Sequence, residues 1–421
     1  MASVNQMSYW MSTASDIVTR QWHLFLPIAI LFSSVIFLGW RSSLIEGNED
    51  NSDSNNTVAE IMDKEYVTEV PFHVGEVRVS RIFVHPIKSC RGTSVSEARF
   101  TPTSLESGCN VSSNIGLNSV HQNDRKWCIV DAQTNAIITA REFPKMVLII
   151  PRLDVDSSSP HGGNLTISFP KESGCSEFKV PIAPTPDMLR KWEVLEDCKM
   201  HRIFVMDGYI SQSISSSPDT PTKTLSKYFG KPVHLLMKGP TPRECPPTSA
   251  FPDLKATALY ADAYPLLVAS EESLSEFQRI VQGFASKGKE AAIGGLDHGR
   301  WSKGKVEMER FRPNIVLKGA GVPFAEDFWR TVVLHSSNST ANSELTLLSK
   351  CTRCLLPNVD VHTGVRDAAV PLKVLLKFRM GKDRENMKAA CFGCNGMLDK
   401  TGVVKVGDLV TIKEWTDLEG V

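Results

Sequence analysis

At 421 residues the chain is long enough for a large core and two domains. Lys+Arg and Asp+Glu are equal at 47 each, so net charge gives no global reason to expect nucleic-acid binding. Ten cysteines are too sparse for a disulfide-scaffolded miniprotein, and neither a dinucleotide-binding glycine fingerprint nor a C-x-x-C-H haem site occurs.

Residues 1–23 form a nearly neutral N-terminal segment, with Arg20 offset by Asp16. The run 24–40 carries no charge, is flanked by Arg20 and Arg41, and has Trp22 and Trp40 where interfacial aromatics sit. At about 17 residues it reaches the lower limit for a membrane-spanning helix. A cleaved signal peptide is disfavoured, because no small-x-small cleavage site follows Phe37-Leu38-Gly39-Trp40. Residues 41–74, rich in Asn, Ser, Asp and Glu with no apolar period, read as a flexible tether. Sequons stand at Asn55, Asn110, Asn164 and Asn338 and matter only if the body is lumenal.

Beyond the tether, Val77–Val84 is rich in β-formers and reads as a strand. Trp127–Val130, the turn 131–135 and Ala136–Thr139 read as a hairpin. Met146–Ile150 and Leu165–Phe169 extend the β pattern. Thr220-Pro221 predicts the start of a short helix ending near Gly230. Ser270 opens a helix through Val281 with Leu274, Phe277 and Val281 on one face. The basic, glycine-rich stretch from Lys287 to Lys305 reads as an exposed loop, Val370–Leu376 as packed, and Gly402–Ile412 as strand. No internal repeat is evident. The expectation is an α+β fold whose body is mainly antiparallel β-barrel, with one domain over residues 75–200 and another over 201–421.

The segment from Cys351 to Gly364 carries chemistry. Thiolates are soft ligands suited to soft or redox-active metals, and the cation at Arg353 favours the thiolate of a neighbouring cysteine. Cys351/Cys354 and Cys391/Cys394 form two C-x-x-C pairs, but they are spaced about twice as far apart as a zinc ribbon requires. Cys391 and Cys394 are therefore expected as small buried hydrophobes. His85, in an otherwise apolar strand, is expected as a satisfied structural histidine.

Four blocks in order, His85-Pro86-Ile87-Lys88-Ser89-Cys90-Arg91-Gly92, Asp124-Arg125 with Thr139-Ala140-Arg141-Glu142, Phe311-Arg312-Pro313-Asn314 and the Cys354 segment, resemble the mitochondrial amidoxime-reducing component family of MOSC-domain molybdenum enzymes over roughly Val77 to Ile412. The resemblance implies a MOSC N-terminal β-barrel domain followed by a MOSC domain, with Cys354 as metal ligand and catalytic residue. A molybdopterin carries a dianionic phosphate and a polar pterin, and needs converging cations and hydroxyls. Lys88, Ser89 and Arg125 are candidates for the phosphate end and Arg312, Asn314 and Arg353 for the pterin end, with Thr352 a further cofactor-binding candidate. Asp262 is retained from that pattern, whereas Ala261 and Ala263 stand where relatives carry hydroxyls, which leaves only backbone contacts there. The implied activity is reduction of amidoximes and hydroxylamines, with electrons from a b-type cytochrome and its NADH-dependent reductase. The implied location is the mitochondrial outer membrane, with the body in the cytosol. A persulfide carrier and a non-enzymatic zinc scaffold are the alternatives.

Overall fold

The computed structural model describes residues 75–100, 123–201, 203–214, 220–336 and 342–416. The apolar run 24–40, the tether 41–74 and the sequons at Asn55, Asn110 and Asn338 lie outside them. Among the described residues no helix is long and apolar enough to cross a membrane.

The first half contains β1 (Val77–Val84), β2 (Thr93–Val95), β3 (Glu97–Phe100), β4 (Trp127–Asp131), β5 (Ile150–Val155), β6 (Gly163–Ser168), β7 (Phe178–Pro181), α1 (Pro186–Leu189), β8 (Val194–Met200) and β9 (Phe204–Ile210). The second contains α2 (Pro221–Phe229), β10 (Val233–Lys238), β11 (Arg243–Glu244), β12 (Thr257–Ala258), β13 (Leu266–Ser270), α3 (Glu271–Ser286), α4 (His298–Trp301), β14 (Ile315–Lys318), β15 (Trp329–His335), β16 (Ser343–Thr352), α5 (Leu372–Phe378), β17 (Cys391–Leu398), β18 (Gly402–Lys405) and β19 (Leu409–Trp415).

Seven strands close into a barrel in the order β14-β13-β17-β16-β15-β19-β1, sealed by a β1–β14 pairing. Closure leaves no unpaired edge in the ring. β13 and β14 run parallel, joined through α3, and the other neighbouring pairs are antiparallel. Inward-pointing Val79, Ile82, Val268, Ile315, Val332, Leu345 and Leu347 fill the interior. The first strand of the described chain is thus a stave of a barrel whose other staves lie between Leu266 and Trp415. The intervening residues make a four-stranded sheet, β4-β10-β9-β8, and a three-stranded one, β5-β6-β7. Trp127, Ile129, Leu165, Ile167 and Leu235 pack between them.

The short-range sequence signals hold. Thr220 Oγ1 accepts from the Lys223 amide at 3.2 Å, and Gly230 ends α2 in the left-handed region. Ser270 Oγ accepts from the Ser273 amide, and α3 buries Phe277, Ile280, Val281 and Phe284, with Leu274 only half-buried. Ile138 donates to the Ile129 carbonyl, closing the expected hairpin.

Two expectations are corrected. Met146–Ile150 is not a strand: Pro144–Leu148 forms a 3-10 turn burying Met146 and Val147, and the strand begins at Ile150. Pro144 supplies a preset φ for a first turn and lacks the N–H a ladder needs, and a short apolar run does not distinguish a turn from a strand. The stretch from Lys287 to Lys305 is not simply a loop. Asp297 caps α4 by accepting from the Arg300 amide at 2.9 Å, and Trp301 is buried with Nε1 donating to Asp367 at 2.8 Å.

Candidate functional site

Loops at the ends of several strands converge on one cleft of about 240 Å³. The turn after β1 brings Ser89, the loop before β4 brings Arg125, and the β12–β13 connection brings Asp262. The approach to β14 brings Arg312 and Asn314, and the end of β16 brings Thr352, Arg353 and Cys354. Lys88 lies beside this lining, reaching Asp262 from behind it. The nine residues selected from sequence therefore share one neighbourhood although 266 positions separate Lys88 from Cys354 (354 less 88).

Lys88 is buried, and its ammonium donates to the Tyr260 carbonyl at 3.0 Å and to Asp262. Burial pushes its pKa down, and the Asp262 carboxylate partly offsets this. Desolvation works against ionised Asp262, yet the Lys88 charge and hydrogen bonds from His201 and Lys88 hold its carboxyl well below the usual range. That side chain is 71% exposed into the cleft, so solvent screens part of the effect. Arg125 donates to Asp124, to Asn314 Oδ1 at 3.0 Å and to the Arg312 carbonyl at 3.1 Å.

Asn314 is fully buried. Its Oδ1 accepts from Arg125 and from the Leu267 amide, and its Nδ2 donates to the Phe83 carbonyl. Its side chain is thus spent on the protein, and it acts on the cleft by fixing Arg125. Arg312 donates through one guanidinium nitrogen to the Cys90 carbonyl, and burial, with the charge of Arg125, lowers its pKa to about 10. Arg353 donates to the Phe392 carbonyl at 3.0 Å with its guanidinium 5.4 Å above Phe311. Cys354 is exposed at the cleft. Burial raises the Cys351 thiol, against the pull of Arg353.

The loop after Cys354 is braced from below. Arg310 donates to Asp360 at 2.6 Å and to the Asn358 carbonyl, while Asn358, fully buried, accepts from the Leu372 amide and donates to the Asp367 carbonyl. Cys391 and Cys394 are fully buried on β17, as expected for small hydrophobes. Burial pushes Cys391 up to about 12, and Cys394 donates to the Glu326 carbonyl at 3.3 Å. Among the described residues no group of three or more His, Cys, Asp and Glu side chains is placed to hold a metal. His85 is buried, its imidazole pushed down to about 3 by desolvation and by Arg312 and Arg125, with Asp124 Oδ1 3.6 Å from its Nδ1, beyond ordinary hydrogen-bond reach.

The lining also includes residues to which sequence reasoning assigned no role: Thr139, Arg141, His201, Arg310 and Asn395. Thr139 and Arg141 close the hairpin, and their block carried the family resemblance, a signal available but unused. His201 donates to Asp262 at 2.7 Å and meets Arg141 at 2.6 Å, and nothing local marks it.

This cleft suits an anionic, polar group. Among the described residues, five arginines (125, 141, 310, 312 and 353) line it against one carboxylate, Asp262. Ser89 Oγ and one guanidinium nitrogen each of Arg312 and Arg353 are buried without a partner among the described residues, an arrangement costing about 1–3 kcal/mol per group until an acceptor arrives. Ser89, Arg125, His201 and Arg312 all hold left-handed backbone, with φ of 66°, 48°, 54° and 59°. Such strain gathers at functional sites.

A MOSC N-terminal beta barrel domain matches residues 76–203 and a MOSC domain matches residues 255–411, together more than half of the chain. Fold and site thus define a two-domain MOSC protein. The chain is 29% identical to the mitochondrial amidoxime-reducing component 1 of Mus musculus, covering 79% of this chain and 81% of that one. It is 29% identical to component 1 of Homo sapiens (79% and 82%) and 28% identical to human component 2 (79% and 82%). The chain thus carries the two MOSC domains in tandem and is similar, over most of its length, to mitochondrial amidoxime-reducing components.

Proposed function

We propose that the cleft holds a molybdenum cofactor and that the protein is an oxidoreductase acting on N-hydroxylated compounds such as amidoximes and hydroxylamines. The observation that carries this reading is a cleft of five arginines and unpartnered buried donors ending in an exposed thiol at Cys354, and the printed names of the relatives support it. Lys88, Ser89 and Arg125 would hold the phosphate. Asp262, Arg312, Thr352 and Arg353 would hold the pterin, Asn314 would act through Arg125, and Cys354 would ligate the metal and be the catalytic residue. When bound, the cofactor supplies two-electron reduction of an N–O bond. The protein positions it: the Arg310–Asp360 and Asn358 contacts fix the loop behind Cys354, and Asn314 fixes the guanidinium of Arg125.

The reading includes a b-type cytochrome and its NADH-dependent reductase as electron donors. It also includes anchoring through residues 24–40 in the mitochondrial outer membrane with the body in the cytosol, consistent with the mitochondrial names of the relatives. Purified full-length protein should contain molybdenum and a pterin in near-equal amounts and reduce an amidoxime with a chemical electron donor. Stoichiometric zinc without molybdenum, or labile sulfane sulfur without pterin, would sink the proposal in favour of a zinc scaffold or a persulfide carrier.

A further inference from the structure

His201 occupies the turn between β8 and β9 and lines the cleft beside Asp262 and Arg141. Its two ring nitrogens face groups of fixed character. The guanidinium of Arg141, whose nitrogen lies 2.6 Å from Nδ1 and 3.5 Å from Nε2, can only donate, and its close contact is with Nδ1. Nδ1 must therefore be an acceptor and carry no hydrogen, which places the ring hydrogen on Nε2. Nε2 lies 2.7 Å from Asp262 Oδ1 and so donates to it.

Lys88 donates to that same oxygen. Oδ1 thus takes two donors, whereas Oδ2 takes none among the described residues, and the side chain stands 71% exposed at the cleft. The backbone of this segment is held separately: Arg243 donates to the carbonyls of Leu259, Ala261 and Ala263 at 3.1, 3.1 and 3.2 Å. Ala261 and Ala263 offer no side-chain hydrogen bond, so Asp262 is the acceptor this loop turns to a ligand.

Resting on the cofactor reading above, we propose that His201 is a positioning residue. As a neutral Nε2–H tautomer fixed by Arg141, it clamps Oδ1 of Asp262 so that Oδ2 is presented to an N–H donor on the heterocycle filling the cleft. Lys88 alone would leave the carboxylate free to turn about a single contact, and the second donor sets its plane.

The experiment compares pterin content and pterin release rate in the purified full chain for the parent, His201→Ala and His201→Gln. Glutamine can accept from Arg141 and donate to Asp262. His201→Ala should release pterin about tenfold faster or more, as expected for losing one charge-assisted contact, and His201→Gln should restore retention to within about threefold of the parent. In the cofactor-free parent, nitrogen NMR of labelled histidine should show His201 unprotonated at Nδ1 and protonated at Nε2. Parent-like retention in His201→Ala, equal loss in both variants, or the opposite tautomer overturns the role of His201 alone. A parent that carries no pterin overturns the cofactor reading and this inference together. Should His201→Ala fail to fold, Arg141→Met removes the donor that fixes the tautomer, and parent-like retention there also overturns the proposal.

Discussion

Replacing Glu326 by glutamine and following unfolding from about pH 5 to about pH 8 tests whether the barrel holds a carboxyl that ionises only at a cost. Glu326 is fully buried. It accepts from Ser270 Oγ at 2.9 Å and from Ser273 Oγ at 2.8 Å, and adjoins Asp327, which is paired with Arg379. Desolvation, then the charge of Asp327, raises its pKa from 4.5 to about 7, against the pull of the two hydroxyls. At about 1.36 kcal/mol per pH unit, ionising Glu326 in the fold costs about 3 kcal/mol more than ionising it in the unfolded chain. The folded pKa is the higher one, so the folded state binds more protons between the two values. The contribution is fully present below about 4.5 and is lost as pH rises through about 7. Glutamine is neutral throughout and can still accept from one hydroxyl while donating to the other. In urea titrations the variant should gain on the parent as pH rises, by up to about 3 kcal/mol at about pH 8. Because the comparison is a difference of differences, other titrating groups cancel. A variant-minus-parent stability that stays constant with pH, or that favours the parent as pH rises, would refute the reasoning.

Lys88→Ala and Arg125→Ala should each weaken cofactor retention by roughly one to two decades, the loss of one charge-assisted contact of about 1.5–3 kcal/mol; parent-like pterin occupancy and release in both would make them ordinary paired cations. Cys354→Ser should abolish amidoxime reduction with a chemical donor, since it exchanges a soft thiolate for a hard oxygen, while Cys351→Ser, Cys391→Ser and Cys394→Ser should be much milder. Near-equal damage from all four, with no molybdenum in the parent, would instead indicate a shared thiolate shell. Removing residues before about Glu65 should leave a soluble body that keeps pterin and activity; pterin loss on truncation would contradict a separable anchor.

What was legible in the sequence was local. Thr220-Pro221 with Gly230, and Ser270 ahead of Phe277 and Val281, name helix ends because capping is a contact among neighbours. The alternation in Val77–Val84 names a strand but not its partners. One, Thr93–Val95, lies close by; the barrel partners are Ile315–Lys318 and Leu409–Val410, more than 200 positions on, and pairing at that range is settled by barrel closure rather than by nearby residues. The cleft divides in the same way. Cys354, Arg312 and Asn314 sit in compact blocks with recognisable order, as does Arg141, whereas His201 and Arg310 are single polar residues whose commonest fate is a solvated surface.

One property of the cleft was beyond any reading of residue types. Ser89, Arg125, His201 and Arg312 bear side chains yet hold left-handed backbone, and Asn135, Ala292 and Phe324 complete that set among the described residues. A left-handed residue of this kind costs about 1 kcal/mol or more, so four amount to a sizeable share of the roughly 5–15 kcal/mol that keeps a domain folded. Glycine or asparagine at these positions would relieve the strain but would remove the hydroxyl, the guanidinium or the imidazole. Retaining three charged or polar hydrogen-bonding side chains and one serine there is consistent with a requirement on direction. All four residues line the cleft in which donors of Arg312 and Arg353 and the hydroxyl of Ser89 lack partners among the described residues. The strain and the unpartnered donors are independent observations, and both have the same explanation if the cleft is shaped for a ligand that supplies the missing acceptors.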